Sequence, residues 1–337
     1  NAPTESGRIA KGGALAIKMR YALYRGNWQQ AADAAKSIMD LNLYALDKDY
    51  AAPFTIAGNG SKEIIVAEEH DEVQNDMGIF GQLYNNGDGG LYLMKDGMTK
   101  EESPLYDKKH PFANRDPRMA KTILYPGCDY WKGVYNTLDK QLDGTDNPDY
   151  PTKAANSSKT ALTWAKYLYP KSQYNDMWTT AASIVIFRYA EVLLSRAEAL
   201  NELSGPSEEV YALIDQLRTR AGMPAVDRAK ASTKEALREV IRRERSVELA
   251  GEGFRRADIV RWKDASGKMV AETVLNGNLT RITGTVDMKG TNPETRATIA
   301  DERDVIEDRA FKPEYRYWPI PQSAIDRNPK LKQNAGY

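Results

Sequence analysis

Cysteine is almost absent from this 337-residue chain, with Cys128 standing alone. That excludes an internal disulfide framework and a thiolate zinc site. Histidine is nearly as scarce, at His70 and His110 only. Two histidines in polar surroundings are poor material for a histidine-rich metal centre or for Ser-His-Asp chemistry. Neither sign of charge is in excess: 47 Lys and Arg face 47 Asp and Glu. No global field therefore draws the chain to nucleic acid or to an anionic membrane. No apolar run approaches the ~18 residues of a membrane-spanning helix. Phenylalanine is also low, at 6, against 19 Tyr and 6 Trp. Tyr and Trp carry an apolar face and a polar tip, which suits wet surfaces and sugar stacking as well as cores. The length is sufficient for a large core in one domain or two.

What the chain does have is helical patterning in pairs. Leu15, Ala16, Met19, Ala22 and Leu23 recur at helical spacing, and Gly26 and Asn27 break the run. Trp28, Ala31, Ala32, Ala35, Ile38 and Met39 begin a second amphipathic helix. The turn between them resembles that of a tetratricopeptide unit. A second hairpin is expected over 184–222. Its first stripe is Tyr189, Val192, Leu193, Ala197 and Leu200. Gly205 and Pro206 stop it, and Ser207 is placed to cap the next helix. Gly222 fits a left-handed C-terminal cap with Pro224 beyond it. A third helix opens at Ser232 to Glu235, read as a capping box.

Between the hairpins the texture changes. Residues 62–67 read as a short strand, and Met119 to Leu124 as a second one entered through Asp116 and Pro117. Residues 78–97 and 141–160 are rich in loop-forming residues. Residues 266–310 read as a long, partly ordered insertion. Trp318 in the tail is expected in the core, and Cys128 is read as a structural free thiol.

Several residues invite a chemical reading. Arg242, Arg243, Glu244 and Arg245 crowd one helix, and Glu244 and Glu248 share a face. The interleaved acids argue against a nucleic-acid surface and for ion pairs with arginines such as Arg188, Arg218 or Arg255. Tyr84, Tyr92, Trp131, Tyr135, Tyr174 and Trp178 lie among Gly, Asn, Asp and other polar residues. Aromatic rings beside polar groups form a carbohydrate site, because the ring stacks on the sugar while the polar groups bond its hydroxyls. These six are the candidate ligand contacts. No cofactor is expected. Calcium is the one ion considered, at Asp143, Asp146, Asn147 and Asp149 or at 85–90, although the spacing does not match a helix-loop-helix calcium loop.

The order of these pieces closely resembles the SusD/RagB family of surface nutrient-binding lipoproteins. The resemblance is carried by Gly26-Asn27-Trp28, Glu63-Ile64-Ile65 and Asp116-Pro117-Arg118. It continues through Phe187-Arg188-Tyr189-Ala190-Glu191, Arg242 to Glu248, Arg261-Trp262 and the tail from Pro319-Ile320-Pro321-Gln322 to Gln333-Asn334. The run around Gly251, Phe254 and Ala257 departs from the family, which usually has bulky aromatic or histidine residues there.

The resemblance implies a mostly α fold, with tetratricopeptide-like helical hairpins packed on an irregular C-terminal region with a few short strands. It divides the chain into a hairpin at 1–60, a loop-rich candidate ligand surface at 61–183 and a C-terminal region at 184–337. It further implies a non-catalytic protein on the outer membrane surface. Such a protein captures an oligosaccharide, or another nutrient such as a peptide or glycoprotein glycan, and delivers it to a SusC-like TonB-dependent transporter. The lipid anchor is expected in a preceding part, so that the chain reads as a fragment or processed form. Two rival readings are a helical scaffold that binds only protein and a glycan-active enzyme. Buried aromatics at 84–178 favour the first. Facing carboxylates roughly 5–10 Å apart in an open cleft favour the second.

Overall fold

Left-handed Gly26 (φ 72°) turns helix α1 (Lys11–Tyr24) back into α2 (Trp28–Met39). The buried face of α2 is almost all alanine, at Ala31, Ala32, Ala34 and Ala35. Short side chains let α2 lie close against its neighbours on both sides, α1 and α4 (Tyr189–Ser204). This is a computed structural model, and it describes residues 8–69, 92–130, 133–147, 158–167 and 182–337.

Between α2 and α4 come β1 (Ile64–Glu68), α3 (Arg118–Thr122) and the short strands β2 (Ile123–Leu124), β3 (Asp129–Tyr130), β4 (Gly133–Val134), β5 (Lys140–Gln141) and β6 (Thr163–Trp164). Strand β7 (Ile184–Arg188) follows and pairs antiparallel with β1. Residues 184–188 are therefore strand, and the second hairpin begins only at Tyr189. The β-branched run Ile184, Val185 and Ile186 favours the strand, and β1 supplies its backbone partners.

Helix α5 (Glu208–Arg220) completes that hairpin. Ser207 accepts from the Val210 backbone at its start, and Gly205 and Gly222 adopt positive φ at the stops. Helix α6 (Lys234–Glu248) is capped by Thr233, whose hydroxyl accepts from Ala236. The cap therefore sits one residue later than a Ser232 to Glu235 box requires, and Glu235 takes no part. Helices α4, α5 and α6 enclose a core of Leu193, Leu194, Leu213, Ile214, Leu217, Leu237 and Ile241.

Three further expectations need correction. Met119 to Leu124 is mostly the helix α3, with only Ile123 and Leu124 in a strand. The reason is local: Asp116 accepts from the Arg118 backbone at 2.9 Å, and Pro117 presets a helical φ. Residues 266–310 are an ordered region. After α7 (Arg255–Arg261) and α8 (Val270–Val274), β8 (Gly277–Val286) and β9 (Ala297–Arg309) form a long antiparallel hairpin, with β5 on the other side of β8. Its inner residues Ile282, Val286, Ala297 and Ile299 pack on Phe112, Leu138 and Leu162. Finally, Trp318 is 71% exposed, with the Arg256 guanidinium 4.3 Å from its ring centre. Pro319 and Pro321 deny this tail a hydrogen-bonded ladder, and it ends in the short helix α9 (Gln322–Arg327).

Candidate functional site

The charged motifs converge on one buried cluster. Arg188 ends β7, and Glu248 ends α6. Arg188 donates to Glu63 (2.6 Å), Glu248 (2.7 Å) and both carboxylate oxygens of Glu252 (2.7 and 2.8 Å). Arg118 grips Asp116 with two nitrogens and reaches Glu244 (2.6 Å) and Glu248 (2.9 Å). Arg218 adds Glu244 at 3.0 Å, and Arg220 adds Glu63 and Glu248. Lys166 reaches Glu252 at 2.8 Å and lies over the Tyr50 and Phe54 rings. Five cations thus meet five carboxylates, and no side chain among them is more than 7% exposed.

The expected pairs with Arg188 and Arg218 form. Arg255 does not join; it donates to Ser246 at 2.7 Å. Arg118, Arg220, Lys166 and Glu252 were not singled out as members. Arg118 and Lys166 lie far from Glu244 and Glu248 in the chain, so no local pattern marks them; Arg220 and Glu252 are close to Arg218 and Glu248, yet only packing against β7 brings them to shared partners.

The electrostatics follow from burial. Desolvation alone would raise the Glu248 carboxyl. The guanidiniums of Arg188, Arg220 and Arg118 outweigh it and hold Glu248 far below the usual carboxylate range. Desolvation lowers Lys166 to about 8, with Glu252 opposing the shift. Glu248 is therefore ionised, and both Glu244 and Glu248 are engaged by arginines and closed to solvent. They lack the open cleft of a general-acid and base pair. The cluster is a structural bolt joining α3, β7, α5, α6 and the segment before β1.

Around that bolt lies the aromatic region. The β3–β4 hairpin carries Tyr130 and Tyr135, whose rings meet edge to face at 6.1 Å. Tyr135 is half-buried against the core that contains Tyr92, Phe112 and Tyr125. The hairpin is fixed from the residue before β9: Arg296 donates to the Gly127 carbonyl (3.0 Å) and to Asp129 (2.6 Å). Gly127 has φ 91°, and a Cβ there would meet the Ala297 backbone at 3.0 Å, so this close approach requires glycine.

Of the six candidate contacts, Tyr135 sits on this hairpin. Tyr92 is 3% exposed and its ring is spent on the core. Tyr84, Trp131, Tyr174 and Trp178 lie outside the described residues. Trp164 is half-buried over Gly251, where a Cβ would lie 3.0 Å from its ring. The small residue at 251, where the family usually has bulk, thus accommodates an aromatic from another element. Tyr167 is buried beside Phe54 at 5.1 Å between ring centres.

The considered calcium residues have other work. Asp143 accepts from the Thr145 backbone and hydroxyl, Asp146 pairs with Lys140, and Asn147 donates to the Asn136 and Leu138 carbonyls. Asp149 and residues 85–90 lie outside the described residues. Among the described residues no three His, Cys, Asp or Glu side chains are grouped to hold a metal. Cys128 is buried, and burial raises its thiol to about 11, so little thiolate forms near neutrality.

A sequence profile of the SusD family matches residues 78–337. SusD-like protein P25 of Formosa agariphila is 24% identical over 77% of this chain and 50% of its own length. SusD-like protein P2 of the same organism is 28% identical over 72% of this chain and 48% of its own. A solved SusD-like carbohydrate binding protein of Bacteroides fragilis superposes with a TM-score of 0.74 at 28% identity, covering 98% of this chain and 66% of that one. A solved laminarin binding SusD-like protein superposes at 0.58 with 21% identity, covering 100% and 65%. The chain spans about half the length of the curated relatives it matches. With paired hairpins, short strands and the profile over most of its length, this chain belongs to the SusD family.

Proposed function

We propose that this chain is part of a non-catalytic cell-surface protein that captures an oligosaccharide and passes it to a TonB-dependent outer-membrane transporter. The observation that carries the reading is the likeness, along almost the whole chain, to a solved SusD-like carbohydrate binding protein. The aromatic hairpin at Tyr130 and Tyr135 supports it locally, since two tyrosine rings meet there beside Asp129. Tyr135, Trp131, Trp178, Tyr84 and Tyr174 are the proposed ligand contacts. An attached lipid and an outer-membrane location belong to the same proposal, as does the absence of turnover. Calcium has no assigned role.

The test is isothermal titration against a broad glycan panel, using the parent protein, Trp131→Ala and Trp178→Ala, with chromatography of the mixtures for products. Binding without product, weakened several-fold by at least one variant, is the expected result. Binding that both variants retain in full removes these two residues from the site. Released product establishes the enzyme reading instead, and a panel with no binder rejects carbohydrate as the ligand class.

A further inference from the structure

A groove of about 920 Å³ lies on the helical part of the chain. It runs between the segment 44–48, which follows α2, and the outer side of α5. Its volume falls within the range of small-ligand sites, ~300–1,000 Å³. The floor is fixed by the buried bolt. Glu63 accepts from the Asp47 backbone at 2.7 Å and from Arg220 at 3.3 Å, and its carbonyl accepts from the Tyr189 backbone at 2.8 Å. Ser61 donates to Asp47 at 2.9 Å, and Ala45 donates to the Lys62 carbonyl at 3.1 Å. The wall opposite α5 is therefore held in place rather than left to side-chain chance.

Two half-buried rings, Tyr44 and Tyr189, face this groove. Tyr44 is seated by Gly12 on α1, where any Cβ would overlap the tyrosine hydroxyl. The charges of the lining are largely spent on one another. Asp215 pairs with Arg228 at 2.8 Å and accepts from the Val226 backbone, while Arg220 belongs to the bolt. Among the described residues the Tyr44, Tyr189 and Thr219 hydroxyls make no hydrogen bond, and Gln216 uses only its amide nitrogen, on its own helix. Of the remaining lining charges, Asp47 accepts from Ser61 and the Asp49 backbone, and the exposed Lys48 beside it offsets its sign, so the lining outside the bolt carries no excess charge. Flat rings with unspent hydroxyl and amide groups match a neutral ligand rich in hydroxyls.

We infer that this groove is a saccharide-binding subsite, for a neutral oligosaccharide, separate from the aromatic loops after residue 80. The inference rests on the proposed function, and its test keeps the two apart. Laminarihexaose, maltohexaose, cellohexaose and xylohexaose are titrated calorimetrically into the parent protein, Thr219→Trp and Trp178→Ala. Thr219 is exposed on α5, so a tryptophan there fills the groove without entering the core; circular dichroism and thermal unfolding check that the variant is folded. The expected result is at least about a fivefold loss of affinity, or the loss of one site from the stoichiometry, in Thr219→Trp. Conservative Thr219→Ser keeps binding. Unchanged isotherms in a folded Thr219→Trp overturn the groove and leave the proposed function standing. If none of these hexasaccharides binds the parent while the broad glycan panel yields another binder, the groove is overturned and the proposed function stands. If Thr219→Trp spares hexasaccharides but abolishes binding of extended peptides on an array, the groove is a peptide site and the inference is overturned.

Discussion

Residues such as Arg188 and Lys166 show how unequal two buried cations can be. Arg188 offers a planar fork that meets Glu63, Glu248 and Glu252 at once. Replacing it with alanine leaves those three buried acids short of their partner. Arg188→Ala is expected to cost about 3–5 kcal/mol in urea unfolding; a loss under about 1 kcal/mol would show that the bolt is dispensable. Lys166 is the weaker member, because Glu252 already has two bonds from Arg188. Its folded value of about 8 lies below the ordinary lysine value. The folded state therefore releases this proton first, and below pH 8 the full desolvation penalty is present. Stability is gained as pH rises from about 8 toward ~10.4, by about 3 kcal/mol for this group. Lys166→Met is expected to be neutral or stabilising at pH 7 and to remove that rise. The measurement is the difference between parent and variant unfolding free energies at pH 7 and pH 9.5.

Elements were legible where their signals are local. The α1–α2 and α4–α5 hairpins follow from apolar spacing and from glycines at their ends, and the Ser207 cap needs only the neighbouring turn. The β8–β9 hairpin was not legible, for a physical reason. Most of β9 is exposed and charged, and it is a strand because β8 pairs with it, not because one of its faces is buried. Its alternating acids and arginines suit an edge that must not recruit another chain. A sharp test lies at Gly284, φ 146°, where a Cβ would overlap the Thr298 carbonyl. Gly284→Val is expected to destabilise by roughly 2–3 kcal/mol. Loss of amide protection confined to β8, β9 and β5 in hydrogen exchange would place the damage there; unchanged protection would contradict the reading.

At the scale of the whole molecule, the bolt makes stability acid-sensitive. Glu248 is held far below its unfolded value by three guanidiniums. Its contribution is complete above ~4.3 and is lost as pH falls toward the folded value. The melting temperature is therefore expected to fall steeply below about pH 4. Glu248→Gln, already destabilised at pH 7, should show a shallower acid slope; parallel slopes would assign the acid lability elsewhere. The same bolt ties residues 63, 118, 166, 188, 220, 248 and 252 into one unit that underlies the groove beside α5. The bolt thereby fixes the wall of that groove opposite α5, through the bonds of Glu63 to Asp47 and Arg220.

By itself the sequence determined the family, the helical hairpins and the pairing tendency of Glu244 and Glu248. Those depend on spacing within a turn or two of helix, and on motifs in fixed order. Tertiary structure alone decided that Tyr92 is core, that Trp318 is exposed and that Arg118, Lys166 and Arg220 share acids with Arg188. It also decided that Tyr44 and Tyr189 face one groove. Burial and charge pairing are set by which distant segments pack together, and no local pattern of residues encodes that distance.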